Sequence, residues 1–156
     1  VIADLWNERV NLYPDIAWDS LKKEAPRVKI ANILIQADRN GELKSPREDI
    51  HSYVLQHIGT DDIYTYTYIL LTLTVFDEPE DVQKILNVAT TKDFTFFNTS
   101  VSILARMCNQ KAKEALDFLE SEIEDESKIN YLLETREKNA AFKEKTDWCQ
   151  ISKFKD

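Results

Sequence analysis

Residues that form tight turns are scarce in this chain. Its 156 residues include two glycines, Gly41 and Gly59, and four prolines. An all-β sandwich or barrel needs a tight turn every few residues, and many of those turns depend on glycine. Helix pairs joined by short polar loops need far fewer, so the composition favours an all-α protein.

Residues that carry chemistry are also few. The chain has two histidines, His51 and His57. Six positions on a helix separate them by about 240° around the axis, so they do not converge on one site. The sequence contains no phosphate-binding glycine loop and no nucleophile-elbow motif. We therefore predict that the protein is not an enzyme and uses no cofactor and no metal.

The two cysteines, Cys108 and Cys149, stand 41 positions apart. This spacing excludes a zinc framework and leaves a disulfide open. Cys108 lies in an apolar helical run, where we expect a small buried side chain. No apolar run approaches the roughly 18 residues of a membrane span, and the first residues show no signal-peptide pattern. A reducing cytoplasm is therefore the expected location.

Acidic residues outnumber basic ones by 28 to 20, which gives a formal net charge of −8. Nucleic acids and anionic membranes attract basic proteins, so we expect neither as a partner. A basic protein partner would be attracted, mainly through a faster association rate.

The spacing of apolar residues divides the chain into helices. It predicts N-terminal helices over residues 1–25, helix pairs over 26–123, and a capping helix with a tail over 127–156. Ser127 is the expected cap of that last helix. All three parts are predicted to form a single domain, 1–156.

Residues 64–76 are compatible with two structures. Alternation around Tyr66 and Leu73 is typical of a strand. Asp61 and Asp62 stand just before the segment, where carboxylates favour a helix N-terminus, and the run is long for a strand. A helix is therefore the prediction, and an α+β fold with a strand at 64–76 is the alternative.

A faint internal repeat of 33 residues supports the helix. The shift places apolar residues on apolar residues: Ile63 on Phe96, Tyr68 on Val101, Leu71 on Leu104 and Leu86 on Leu119. With two helices per period, residues 26–123 resemble HEAT-like helical repeats. The resemblance implies a short right-handed stack of antiparallel helix pairs, an α-solenoid. A generic helical bundle is the other interpretation.

Such a stack would gather carboxylates, because equivalent turns align along one edge. Seven acids precede the first helices of successive pairs and are the predicted partner-binding residues: Asp61, Asp62, Asp93, Glu122, Glu124, Asp125 and Glu126. N-capping and solubility are the alternative explanation for them. The chain has no lysine or arginine from Glu114 to Glu126, so we expect little local charge compensation. The acids of 77–81 are expected on the opposite, exposed edge.

The predicted function is binding of a basic protein without catalysis. In size, acidity and lack of chemistry the chain resembles bacterial immunity proteins, which neutralise a toxin, such as a basic nuclease, by covering its active site. One alternative is an adaptor or scaffold with a peptide groove, in which exposed aromatics such as Tyr66 or Phe97 bind. Another is a helical metal- or carboxylate-dependent enzyme with a pocket around His51.

Overall fold

The computed structural model describes residues 34–43 and 46–154, and these residues form helices and no strand. Residues 34–39 are helical. The helices that follow are α1 (Arg47–Gln56), α2 (Ile63–Phe76), α3 (Val82–Thr91), α4 (Phe94–Arg106), α5 (Gln110–Glu122), α6 (Glu126–Thr146) and α7 (Trp148–Ile151), with a 3₁₀ turn at Pro79–Asp81. The all-α prediction is confirmed for this part of the chain. The helices predicted over 1–25 lie outside the described residues.

The chain divides into two compact units. Unit 1 comprises residues 1–76 and 152–156, and unit 2 comprises residues 77–151. Among the described residues, no helix combines the length and apolar character needed to cross a membrane.

The segment with two possible structures is helix α2, so the alternative of an α+β fold with a strand at 64–76 is wrong. Asp62 Oδ2 accepts hydrogen bonds from the backbone N–H of Thr65 at 2.8 Å and from its hydroxyl at 2.7 Å. Farther along, the Thr72 hydroxyl donates to the carbonyl oxygen of Tyr68 at 2.9 Å. Every residue from Tyr68 to Val75 is buried. A helix buried on all sides needs no polar face, so alternation along the sequence does not indicate its structure.

Within unit 1, α1 packs on α2 and the C-terminal tail returns to the end of α2. The backbone N–H of Phe154 donates to the carbonyl oxygen of Val75 at 3.0 Å. The Phe154 ring meets the Phe76 ring edge-on, with 5.0 Å between centroids. The Arg47 guanidinium lies 4.6 Å from the centroid of the Phe154 ring. The tail is therefore held by an aromatic contact and a backbone hydrogen bond.

Unit 2 contains helices α3 to α6, joined by short loops at 92–93, 107–109 and 123–125, and the short helix α7 that follows them. Helix α4 packs against α3, α5 and α6, and α3 also packs against α5. Two hydrogen bonds fix the direction of α4 relative to α6. The Tyr131 hydroxyl donates to the carbonyl oxygen of Asn98, and Arg106 Nε donates to Asn139 Oδ1, each across 33 residues. Both partners advance together along the two helices, so α4 and α6 run parallel.

The cap of α6 differs from the sequence prediction. Asp125, and not Ser127, is the N-cap, and its Oδ1 accepts from the backbone N–H of Lys128 at 3.0 Å. The helix therefore begins at Glu126, slightly before the predicted boundary of 127. Both side chains can cap a helix, and the sequence alone does not rank them.

The acidic turn at 77–81 is partly buried, although an exposed edge was expected. Asp77 has a φ of 50° and is 8% exposed, and Asp81 is 1% exposed. Asp77 Oδ1 accepts from the backbone N–H of Cys108 at 3.0 Å and from Asn109 Nδ2 at 2.9 Å. This carboxylate therefore joins the turn before α3 to the turn before α5.

Candidate functional site

The seven predicted partner-binding acids are divided between the two units. Asp61 and Asp62 belong to unit 1, where Asp61 is exposed and Asp62 caps α2. The other five belong to unit 2: Asp93, Glu122, Glu124, Asp125 and Glu126.

The five acids of unit 2 lie at one end of its helices. Asp93 is the N-cap of α4 and Asp125 is the N-cap of α6. Because these helices are parallel and packed together, both caps lie at the same end. Helix α5 runs back towards this end and finishes at Glu122, which leads through Glu124 into Asp125. We call Asp93, Glu122, Glu124, Asp125 and Glu126 the acidic end of unit 2.

Two members of the acidic end use their carboxylates for capping. Asp93 Oδ1 accepts from the backbone N–H groups of Thr95 at 3.0 Å and Phe96 at 3.3 Å. Asp125 does the same for Lys128. A cap carboxylate also faces the positive end of the helix dipole, which offsets part of its charge. For Asp93 and Asp125, capping alone explains the choice of residue.

The other three members of the acidic end do not cap a helix. Glu122, Glu124 and Glu126 are exposed. Within the described part of the chain, their side chains form no hydrogen bond or ion pair. Their charges are available to a partner in solution.

Charge compensation for the neighbouring acids of α5 comes from α6, contrary to the expectation from the local sequence. Arg136 donates to Asp117 Oδ1 at 2.8 Å and to Glu120 Oε2 at 2.6 Å. A local count of charges misses this arginine because it lies one helix away. Among the residues that the structure describes, Arg136 forms no ion pair with Glu122 or the acids after it. Lys92 and Lys128 lie at the same end over the rings of Phe96 and Phe97, so part of the negative charge there is offset.

An exposed aromatic side chain accompanies the acidic end. Phe94, the first residue of α4, is 42% exposed. Its ring stacks on Phe97 with 6.0 Å between centroids and meets the edge of Tyr131 at 6.4 Å. The Lys128 ammonium lies 5.2 Å from the Phe97 centroid. Phe94 therefore packs against two neighbouring rings while 42% of its surface stays exposed.

No protein family, curated protein or solved structure matches this chain.

The aromatic residues suggested by the sequence do not form a binding surface. Tyr66 is 0% exposed and Phe97 is 1% exposed. The exposed aromatics of unit 2 include Phe94 and Phe118 instead. Phe118 could have been found from periodicity, because it lies beside the buried stripe of Ala115 and Leu119 on α5. Phe94 gives no comparable signal, since its exposure depends on the packing of α4 against α6.

A groove of about 700 Å³ lies between α3 and α5. Val82, Leu86 and Phe118 supply apolar surface, and Phe118 is 48% exposed. Gln83 and Asn87 lie along the polar side, where Gln83 Nε2 donates to Asn87 Oδ1 at 2.9 Å. The groove therefore combines apolar and polar side chains, as surfaces that bind protein segments do.

The histidines lie in packing environments within unit 1. His57 Nδ1 lies 2.9 Å from the carbonyl oxygen of Tyr53, which can only accept, so this nitrogen donates. His51 packs against Phe76 with 4.8 Å between ring centroids. In the described residues, no group of three or more histidine, cysteine, aspartate or glutamate side chains could hold a metal ion.

Proposed function

We propose that this protein is a non-catalytic binding module whose acidic end docks a basic protein. The observation that carries the proposal is the combination of an anchored, exposed Phe94 with three exposed glutamates at one end of α4 and α6. Interfaces commonly centre on an aromatic anchor, and complementary charge around it speeds association and fixes orientation.

The scaffold of this proposal is a HEAT-like stack of helix pairs. This proposal is supported by the agreement between the sequence repeat and the spacing of hydrogen-bonded residues in the structure. The sequence repeats every 33 residues, and the hydrogen bonds between parallel helices α4 and α6 also join residues 33 apart. A helical stack presents the ends of equivalent helices along one surface, which is where the acidic end lies.

The narrower proposal is a bacterial immunity protein that neutralises a toxin by covering its active site. Size, acidity and the lack of catalytic motifs support it, together with three exposed glutamates at the end of unit 2 that also carries the exposed Phe94. The suitable probe is a purified basic toxin domain encoded by a neighbouring gene.

The test reverses the charge of two glutamates that do not cap a helix. The Glu122→Lys and Glu124→Lys double variant should slow association with the toxin domain about tenfold or more and weaken its salt dependence. The matched control is Glu137→Lys with Glu144→Lys, two exposed acids farther along α6 that give the same change in net charge. Stopped-flow measurement at several salt concentrations provides the rates. Equal rates for the two double variants would argue against docking at the acidic end.

A peptide-binding adaptor is the second candidate, and the groove between α3 and α5 favours it. Phe94→Ala and Phe118→Ala distinguish the two surfaces, because truncating an aromatic anchor speeds dissociation about tenfold or more. Faster dissociation with Phe94→Ala supports the acidic end. Faster dissociation with Phe118→Ala alone assigns binding to the groove.

A further inference from the structure

The two cysteines of the chain form a disulfide within unit 2. Cys108 follows the C-cap of α4 and Cys149 lies in α7, and their Cα atoms are 5.7 Å apart across a separation of 41 residues. The distance lies in the range that disulfides require. The disulfide that the sequence left open is therefore present, and Cys108, expected to be a small buried side chain, is half-buried.

Residues next to Cys108 and Cys149 in the sequence make hydrogen bonds and ring contacts that bring the two cysteines close together. Trp148 is 3% exposed, and its indole N–H donates to the carbonyl oxygen of Arg106 at 3.0 Å. The Arg106 guanidinium lies 3.7 Å from the Phe142 centroid and 5.0 Å from Trp148. Lys143 Nζ donates to the carbonyl oxygen of Met107 at 2.6 Å. These groups on α4, α6 and α7 hold the two sulfur positions together in the folded chain.

Two thiols that folding holds close together form a disulfide readily wherever an oxidant is present. A reducing cytosol keeps such pairs as thiols, and disulfides persist in secreted and periplasmic proteins. We propose that the Cys108–Cys149 disulfide is closed in the mature protein and that the protein works in an oxidising compartment. Closure is an exchange with a disulfide-containing oxidant: the two cysteine thiols become one disulfide, and the donor disulfide becomes two thiols. This inference does not rest on the proposed binding function, but it replaces the cytoplasm expected from the sequence with an oxidising compartment and bears on the class of partner.

The direct test counts thiols in the full chain taken from its host. Cells are quenched in acid and alkylated with N-ethylmaleimide under denaturing conditions, and the intact mass is measured. The expected result is no alkylation of either cysteine without reductant, and alkylation of both after reduction. Alkylation of both cysteines at the first step would overturn the proposal, as would a mass showing a disulfide between two chains.

A second measurement asks whether the disulfide stabilises the fold. Closing a loop of about 40 residues removes freedom from the unfolded chain, so dithiothreitol should lower the Tm by about 10 °C or more. The Cys108→Ser, Cys149→Ser double variant is the control and should show no further fall with dithiothreitol. An unchanged Tm in the reduced wild-type protein would contradict the stabilising role. The thiol count needs no variant and remains decisive if the double variant does not fold.

Discussion

Asp77 shows how far the environment of a single acid can depart from its local sequence. It stands in an acidic run, where exposure is the natural expectation. The structure turns it inward, with a left-handed backbone and a buried carboxylate that accepts hydrogen bonds from Cys108 and Asn109. Cys108 and Asn109 lie 31 and 32 residues away from Asp77, beyond the reach of any local pattern.

Substitutions at Asp77 should separate the contribution of its accepting oxygen and backbone conformation from the contribution of its charge. Asp77→Asn keeps an accepting oxygen and tolerates the left-handed conformation, so the free energy of unfolding should change by less than about 1 kcal/mol. Asp77→Ala loses both hydrogen bonds and is strained at this φ, so it should cost about 2–3 kcal/mol. Urea denaturation measures both. Equal losses in the two variants would mean that the charge, and not the accepting oxygen, is what stabilises the turn.

At the scale of elements, α2 was the hardest segment to predict, whereas the apolar spacing of α4 and α5 is clearly helical. The strand-favouring residues of α2 are typical of a sheet, and a helix was indicated by Asp61 and Asp62 before the segment, by its length and by the 33-residue repeat. The structure shows why the indication was sound: Asp62 caps the first turn, and threonine hydroxyls bond back to helical carbonyl oxygens. Because residues 68–75 are buried on every side of the helix, the sequence does not show the alternation of apolar and polar faces that marks most helices.

Helix caps also separate structural acids from those available to a partner. Asp93→Asn keeps the accepting oxygen and should change the free energy of unfolding by less than about 0.5 kcal/mol, whereas Asp93→Ala should cost about 1 kcal/mol. Glu122→Gln is the exposed control and should stay within about 0.5 kcal/mol. Thermal and urea denaturation provide the comparison. A wild-type stability for Asp93→Ala would show that this cap contributes nothing and would free its carboxylate for docking.

At the scale of the whole molecule, the sequence predicted one domain over 1–156, and that remains a prediction beside the two compact units. Unit 2 has its own buried side chains, its own disulfide and the Asp77 link between turns. These contacts all lie between residues 77 and 151. Unit 2 therefore contains what an independently folding unit needs.

A fragment of residues 77–151 tests this directly. With the disulfide closed, it should give a helical circular dichroism spectrum and a single cooperative unfolding transition. The control fragment, 94–151, lacks α3 and Asp77 and should lose cooperativity, because α4 loses one of the helices packed against it. Failure of the 77–151 fragment to fold would instead support a single domain over the whole chain.

The disulfide also bears on the class of partner. A nuclease acts on nucleic acid inside a cell, in a compartment that reduces exposed disulfides. A protein whose disulfide stays closed meets its partner outside that compartment. The thiol count described above therefore distinguishes a nuclease from a basic toxin that acts elsewhere.

The sequence by itself determined the helical class, the acidic surface and the 33-residue period, because these depend on composition, on residues within a few turns of one another and on repetition. It also placed acids before helices α2, α4 and α6. The helix caps are local contacts, with partners two or three residues away. Only the tertiary structure decided which acids Arg136 compensates and which face solvent at the end of unit 2 that carries Phe94. The same holds for the buried carboxylate of Asp77 and for the pairing of Cys108 with Cys149. Each of these depends on partners brought together from distant positions, and the physical reason is that burial and hydrogen bonding are properties of neighbours in space.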